Sequence, residues 1–203
     1  MSEITIHNVE QRSPEWHALR SGKIGGSEAI GLTTPARMKT LLYKKAGEIL
    51  APIMIDDDEE IFISKAMQRG IDLEPEALDR YFQMTGNFIL PCGYVTNSDY
   101  IHAGVSPDGM TSDYRIAAEV KCLSRDKHVE TFITQKVPSD YMPQIAWYFF
   151  IMPALERVDF IMYHPDFMLK SLYVIEVSRE DCIDFTPLYN NFVEQLNNVI
   201  NQF

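Results

Sequence analysis

Residues 102–122, HAGVSPDGMTSDYRIAAEVKC, hold the side chains best suited to chemistry. Ser106-Pro107-Asp108-Gly109 has the composition of a turn, which puts Asp108 where one strand hands over to the next. In the apolar strand that follows, Glu119 and Lys121 stand two apart and leave the same sheet face. Such a charged pair is unfavourable on an apolar face unless it lines a site. Two carboxylates converging from adjacent strands make an oxygen-ligand site for Mg²⁺, a hard cation that keeps waters and shares its sphere with a substrate phosphate. A lysine beside it can orient or deprotonate the attacking water. Metal-assisted phosphodiester hydrolysis needs these parts. On spacing alone, the same residues also read as a plain turn followed by a solvated Glu-x-Lys edge.

The elements that must position these residues follow from pattern. Ser13 can cap a turn begun by Pro14, and Ser27 a second one through Ile30. Thr34 and Pro35 open a helix in which Met38, Leu41, Leu42, Lys45, Ala46, Ile49 and Leu50 recur at helical spacing, ending before Pro52. A further helix presents Leu73, Ala77, Leu78, Tyr81 and Phe82 on one face and stops at Gly86; Pro75 predicts its start, or a kink, near Glu74. From residue 88 the texture is that of a curved sheet, with FILPCGYV, YIHAGV, IAAEVKCL, RVDFIMYH and SLYVIEVS read as strands and YMPQIAWYFFIM as a helix between the third and fourth. The tail from Glu180 to Phe203 repeats apolar residues at three-to-four spacing, predicting an amphipathic helix over one sheet face. The expected class is α/β or α+β, a single domain over 1–203 with a mixed central sheet flanked by helices.

Composition narrows the functions. An apolar fraction of 46% excludes a disordered chain. A net charge of −11 excludes a generally basic coat for nucleic acid, so any DNA contact must be local. Three cysteines without C-x-x-C spacing suggest neither a disulfide framework nor a zinc cluster, and fit a reducing cytoplasm. His17, His102 and His128 are not spaced as ligands and HExxH is absent, which leaves a zinc hydrolase without support. The N-terminus lacks a signal pattern, and the longest apolar stretch, around residues 145–155, is too short to span a bilayer; the expectation is a soluble protein that stays in the cytoplasm and meets no membrane. The acidic run Asp56–Glu60 reads as a solvated loop, Trp16, Trp147 and Phe149 as core, and Cys122 as a small buried hydrophobe.

SPDG followed by EVK resembles the PD-(D/E)XK nuclease signature, and its flanks resemble the phage lambda exonuclease family, the YqaJ-like viral recombination exonucleases. Four blocks match in order. EWHALRSGKIGGSEA resembles the family's W-x-x-x-R-x-G-x-I-x-x-S-E, and GIDLEPEALDRYFQMTG its G-x-x-x-E helix; AGVSPDGMTSDYRIAAEVKC and DYMPQIAWYFFIM, with the family's Tyr-Met-x-Gln, follow. Roughly residues 12 to 178 are covered. The resemblance implies a PD-(D/E)XK core in which Asp108, Glu119 and the Val120 backbone carbonyl bind catalytic Mg²⁺, two ions per site, with Mn²⁺ able to substitute. It implies that Glu74 adds a carboxylate near the metals, that Lys121 serves the water, and that Gln144 hydrogen-bonds the water or Lys121. Tyr141 is a weaker member of the set. Arg20 and Ser27 would hold the 5′-phosphate of the strand being digested. Gly25 and Gly26 depart from the family's frequent Thr-Ala, which alters the shape of this pocket.

The implied function is a Mg²⁺-dependent 5′–3′ exonuclease acting on double-stranded DNA ends, releasing mononucleotides and leaving a 3′ overhang. The resemblance also implies a ring-shaped homotrimer, a single-strand annealing protein as partner, and a phage or prophage origin in a bacterial host. Lys39, Lys44, Lys45, Arg69, Arg125, Lys127 and Lys136 are the basic residues available to line its channel. Two other functions are compatible with parts of the sequence: a PD-(D/E)XK endonuclease of repair or restriction, and a non-catalytic acidic protein that binds a DNA enzyme. A covalently closed circular substrate separates the first from an exonuclease; the second has no use for two carboxylates and a lysine at metal-site spacing.

Overall fold

The structure is a computed structural model that describes residues 3–52 and 64–203. In chain order its elements are β1 (Ile4–His7), α1 (Pro14–Arg20), a 3-10 turn (Gly26–Leu32), α2 (Pro35–Leu50), α3 (Lys65–Thr85), β2 (Tyr94–Asn97), β3 (Gly109–Met110), β4 (Ile116–Lys121), α4 (Arg125–Thr134), α5 (Met142–Ile151), β5 (Arg157–Tyr163), β6 (Leu172–Ser178) and α6 (Thr186–Ile200). The expected loop at Asp56–Glu60 lies outside the described residues.

The central sheet is mixed, in the order β3-β4-β5-β6, with β4 parallel to β5 and the outer pairs antiparallel. A parallel pair needs a long crossover. Here α4 and α5 supply it. Alternation along the strands gives the sheet two apolar faces. On one, Ala117, Val158, Phe160 and Met162 pack with α5 and the 3-10 turn; on the other, Ala118, Val120, Ile161 and Tyr163 meet Ala77 and Tyr81 of α3. Helix α5 is buried from Ile145 to Ile151, as a helix apolar on all sides must be.

The capping signals place helices α1 and α2 as expected. Ser13 accepts from the Trp16 N–H at 3.2 Å, and the Thr34 hydroxyl from the Arg37 N–H at 3.4 Å. Ser27 is not a cap. Gly25 is the N-cap residue of its turn, and Glu28 Oε2 accepts the Gly25 N–H at 3.0 Å, while Ser27 is exposed within the turn.

Helix α3 also differs: it begins at Lys65 and runs through Pro75 to Gly86, whose φ of +76° ends it. Pro75 removes one intrahelical donor, but the packing of Ala77 and Tyr81 on the sheet keeps the helix continuous. Glu74 is therefore interior to a helix and not at its start. YIHAGV forms only single bridges, Ile24 to Ala103 and Val95 to Val105, and only the end of FILPCGYV is a strand, paired with the unforeseen β1. The tail helix α6 has α2 as its main partner and sets Tyr189 against Trp147 and Phe150 of α5, so it covers helices where a sheet face was expected.

Candidate active site

The β3–β4 pairing sets Gly109 opposite Ala118 and so brings the turn residue Asp108 alongside β4. The Asp108 N–H donates to the Ala118 carbonyl at 3.2 Å, and the Val120 N–H donates to Asp108 Oδ2 at 2.6 Å. In extended backbone the Val120 carbonyl points to the same edge of β4 as its own N–H, the edge along which Asp108 lies. Glu119 and Lys121 leave the opposite face from Val120, as the two-residue period requires. Glu119 is buried, its Oε1 accepting from the Lys121 ammonium and its Oε2 from the Tyr148 hydroxyl. Lys121 also sits 5.3 Å from the centre of the Tyr141 ring, which itself packs on Phe160.

Glu74 reaches this cluster because it shares the sheet-facing stripe of α3, three and seven residues before Ala77 and Tyr81. Arg12 stands 3.7 Å from its carboxylate. Burial pushes the Glu74 carboxyl up; Arg12 opposes that and Glu119 adds to it. Asp108 is pushed well above the ordinary carboxylate range, by burial first and then by the charge of Glu119, with Lys121 and the Val120 N–H opposing. Burial disfavours the Lys121 charge, but Glu119 and Asp108 outweigh it and raise its pKa. Beside these carboxylates Lys121 is a donor that can orient a water.

This donor set fits a hard divalent cation. It offers oxygen ligands only, and burial first, with the charge of Glu119 second, disfavours the anions of Asp108 and Glu74, an effect that a cation between the carboxylates would reverse. Among the described residues, no three Asp, Glu, His or Cys side chains are already arranged around one point. Lys121 and Tyr148 hold Glu119, and a backbone N–H holds Asp108.

A second region adjoins the first. The Arg20 guanidinium lies over the Trp16 ring, 4.0 Å from its centre, and the Trp16 indole N–H donates to Ser106 Oγ at 2.8 Å. Trp16 is thus a platform for Arg20, while Trp147 and Phe149 are buried as expected. A side chain at Gly25 would begin 2.9 Å from an Arg20 nitrogen, and one at Gly26 would begin 3.1 Å from the Tyr148 ring and 3.3 Å from Gln144. The paired glycines therefore have a physical reason: Arg20 and Tyr148 fill the space that larger residues would take.

Helix α2 clamps this loop. Lys45, its side chain only 4% exposed, lies 3.0 Å from both Glu28 Oε2 and Glu48 Oε2. Lys44 is 2.6 Å from Glu28 Oε1, and the Gly22 N–H donates to Glu48 Oε2 at 2.9 Å. Lys45 and Lys44 hold the Glu28 carboxyl below its ordinary range against the effect of burial. Lys45 does not line a channel. Arg69 is committed to the Cys122 carbonyl at 2.7 Å, Arg125 to Asp166 and Lys127 to Glu130, whereas Lys39 and Lys136 are exposed.

The structure thus gathers Asp108, Glu119, Lys121 and Glu74 in one cluster and sets Arg20 in another. Ser106 and Tyr148 link the two: the Tyr148 hydroxyl lies 3.3 Å from the Ser106 carbonyl and contacts Glu119. Gln144, expected to hydrogen-bond the attacking water or Lys121, donates to the Tyr148 hydroxyl at 3.4 Å. Tyr148, Ser106, Arg12 and the Glu28–Lys45–Glu48 group were not singled out for these roles from sequence. Tyr148 carried one signal, its place one helical turn after Gln144.

No curated protein matches the chain. Among solved structures, an alkaline exonuclease from Laribacter hongkongensis, LHK-Exo, is similar at 26% identity and a TM-score of 0.81, the match covering 94% of this chain and 95% of the exonuclease. LHK-Exo in complex with dAMP is similar at 25% identity and a TM-score of 0.83, with the same coverage. The fold is that of an alkaline exonuclease, with a mixed central sheet flanked by helices. Its residues 15–152, which carry both regions of the site, match the YqaJ-like viral recombinase domain, and the chain belongs to that family.

Proposed function

We propose that this chain is a Mg²⁺-dependent 5′–3′ exonuclease that degrades one strand of linear double-stranded DNA to mononucleotides and leaves a 3′ overhang. The observation that carries this reading is the pinning of Asp108 against β4 beside Glu119 and Lys121, next to the Arg20 region. Family and fold support nuclease chemistry. The dAMP held by LHK-Exo belongs to the chemical class that exonucleolytic cutting releases.

Asp108, Glu119, the Val120 carbonyl and Glu74 would hold Mg²⁺ or Mn²⁺, two ions per site. When bound, the metal would polarise the phosphoryl group, lower the pKa of a water and stabilise the leaving oxygen. Lys121 serves the attacking water, orienting it toward phosphorus or taking its proton. Tyr141 supplies a ring beside Lys121. Arg20, backed by Trp16, offers two parallel N–H groups to a terminal 5′-phosphate; such bidentate pairs are strong and directional. Ser27, exposed nearby in the sequence, adds a hydroxyl.

The family resemblance further supports a ring-shaped homotrimer, an annealing protein that receives the overhang, and work inside a bacterial host on behalf of a phage or prophage. No helix among the described residues is long and apolar enough to cross a membrane. The test is a linear duplex labelled at one 5′ end, offered with Mg²⁺ beside a covalently closed circle. Release of labelled mononucleotide from the linear DNA alone supports the reading, and internal cutting of the circle overturns it in favour of an endonuclease. Light scattering at three times 23.4 kDa checks the trimer.

A further inference from the structure

Tyr148 stands in the wall between the two regions. Its side chain is fully buried on α5, and its hydroxyl meets three groups: Glu119 Oε2, the Ser106 carbonyl at 3.3 Å and the Gln144 amide at 3.4 Å. A phenol has one proton to give, and an ionised carboxylate is the stronger acceptor. Gln144 Nε2 has only donors to offer, so it gives to the phenol oxygen. The chain of donation therefore runs one way, Gln144 to Tyr148 to Glu119. With Lys121 on Oε1 and Tyr148 on Oε2, the Glu119 carboxylate is fixed at both ends and cannot turn about its last bond.

We propose that Tyr148 is a positioning residue that orients Glu119 for metal binding, and that the absent side chain at Gly26 is the space in which its ring sits. The inference rests on the reading of Glu119 as a metal ligand given above. A methyl group at position 26 would start 3.1 Å from Tyr148 Cε1, the ring carbon next to the one that carries the hydroxyl. That is closer than about nine in ten real contacts of its kind, so the ring must give by a few tenths of an ångström. The hydroxyl moves with it, along with its bond to Glu119. Because the Tyr148 side chain is fully buried, the ring cannot escape the contact by swinging out to solvent. The glycine at position 26 is on this account matched to the tyrosine four residues after Gln144.

The experiment measures Mn²⁺ binding to the whole protein without DNA, by electron paramagnetic resonance or calorimetry, alongside nuclease activity. Tyr148→Phe removes the hydroxyl and keeps the ring. Expected is a loss of Mn²⁺ affinity of about 10-fold or more, the range seen when the hydrogen-bond partner of a metal ligand is deleted. Gly26→Ala leaves the core residues intact and is expected to weaken Mn²⁺ by a few-fold. The double variant should bind no worse than Tyr148→Phe, because without a hydroxyl the displaced ring has nothing further to lose. If the wild type itself binds no Mn²⁺, the metal-ligand reading of Glu119 fails. If it binds and Tyr148→Phe, folded by circular dichroism, binds equally well, Tyr148 is only a packing residue and the inference is overturned. A lowered melting temperature with unchanged Mn²⁺ affinity has the same meaning. Should Tyr148→Phe fail to fold, Gly26→Ala decides: wild-type affinity there overturns the proposal, and a weakened one upholds it.

Discussion

Asp108, Glu119 and Lys121 are held by strand pairing, whereas Arg20 depends on a loop that helix α2 clamps from the side. In the first region the backbone ladder fixes register, so residues two apart on β4 and one turn residue are bound to converge. In the second, Gly22 to Glu28 follow no ladder beyond one bridge, and the buried Lys45 and half-buried Glu48 give the loop its shape. The charges differ in the same sense. Asp108 and Glu74 are pushed up, toward a neutrality that a cation would undo, while Glu28 is pulled down by partners already in place. The strand-borne region holds charges short of compensation, as sites of chemistry do, and the loop region holds compensated ones, as scaffolds do.

The largest effect comes from breaking the strand-borne region. Asp108→Asn, Glu119→Gln and Lys121→Met should each reduce nuclease rate by about a thousandfold or more, and double variants should be little worse than singles, because the three act as a unit. Asp108→Asn should leave the melting temperature of the metal-free protein equal or higher, since it removes a carboxyl that the fold disfavours as an anion. Steady-state rates and a thermal melt check both halves; a melting temperature several degrees lower would show that Asp108 is there for stability.

Strand spacing made the first region legible. SPDG and EVK, read as a turn and a strand of period two, put Asp108 at a strand junction and Glu119 and Lys121 on one strand face, which is the geometry that the folded chain has. The second region was not legible in the same way. Lys45 recurs among apolar residues of the α2 stripe, which marks it as buried, but its partners lie at positions 28 and 48 and only the folded chain unites them. Local rules also misled where packing overrode them: Pro75 signalled a helix boundary, yet Ala77 and Tyr81 hold α3 to the sheet on through it. The edge strand β1 is four residues long and mostly exposed, and α4 has a weak apolar stripe with only His128 and Thr131 buried, so neither stood out.

The next effect sharpens the comparison from the loop side. Lys45→Met should lower stability by about 3 kcal/mol, because it removes the buried cation between two carboxylates and leaves only the exposed Lys44 to serve them both. It should also blunt the preference for 5′-phosphorylated ends and leave hydrolysis of 5′-hydroxyl ends nearly intact. Denaturant unfolding and paired substrates measure the two parts. Equal slowing on both ends would mean that the clamp serves the whole fold and not the Arg20 region.

Arg20→Ala is expected to slow digestion of 5′-phosphorylated ends by about 10- to 100-fold relative to 5′-hydroxyl ends, the size of a lost hydrogen-bond pair between charged groups. Parallel single-turnover rates on the two substrates give the ratio directly. A ratio that stays at the wild-type value would make the Trp16–Arg20 stack a structural feature.

The smallest effect concerns acid. Glu28 has a folded-state pKa below its unfolded one, because Lys45 and Lys44 outweigh burial. Its contribution to stability is therefore complete above the unfolded value and is lost as pH falls through the folded one, in the window below the ordinary glutamate range. Glu28→Gln keeps an acceptor for the Gly25 N–H but carries no charge. It should melt a few degrees lower than wild type at pH 7, for a deficit of about 1 kcal/mol, and the two curves should converge as the pH approaches 3. Melting temperatures across that range test the sign. Curves that stay parallel would place the acid sensitivity of the protein elsewhere and show that Glu28 stabilises the loop through its shape and not through its charge.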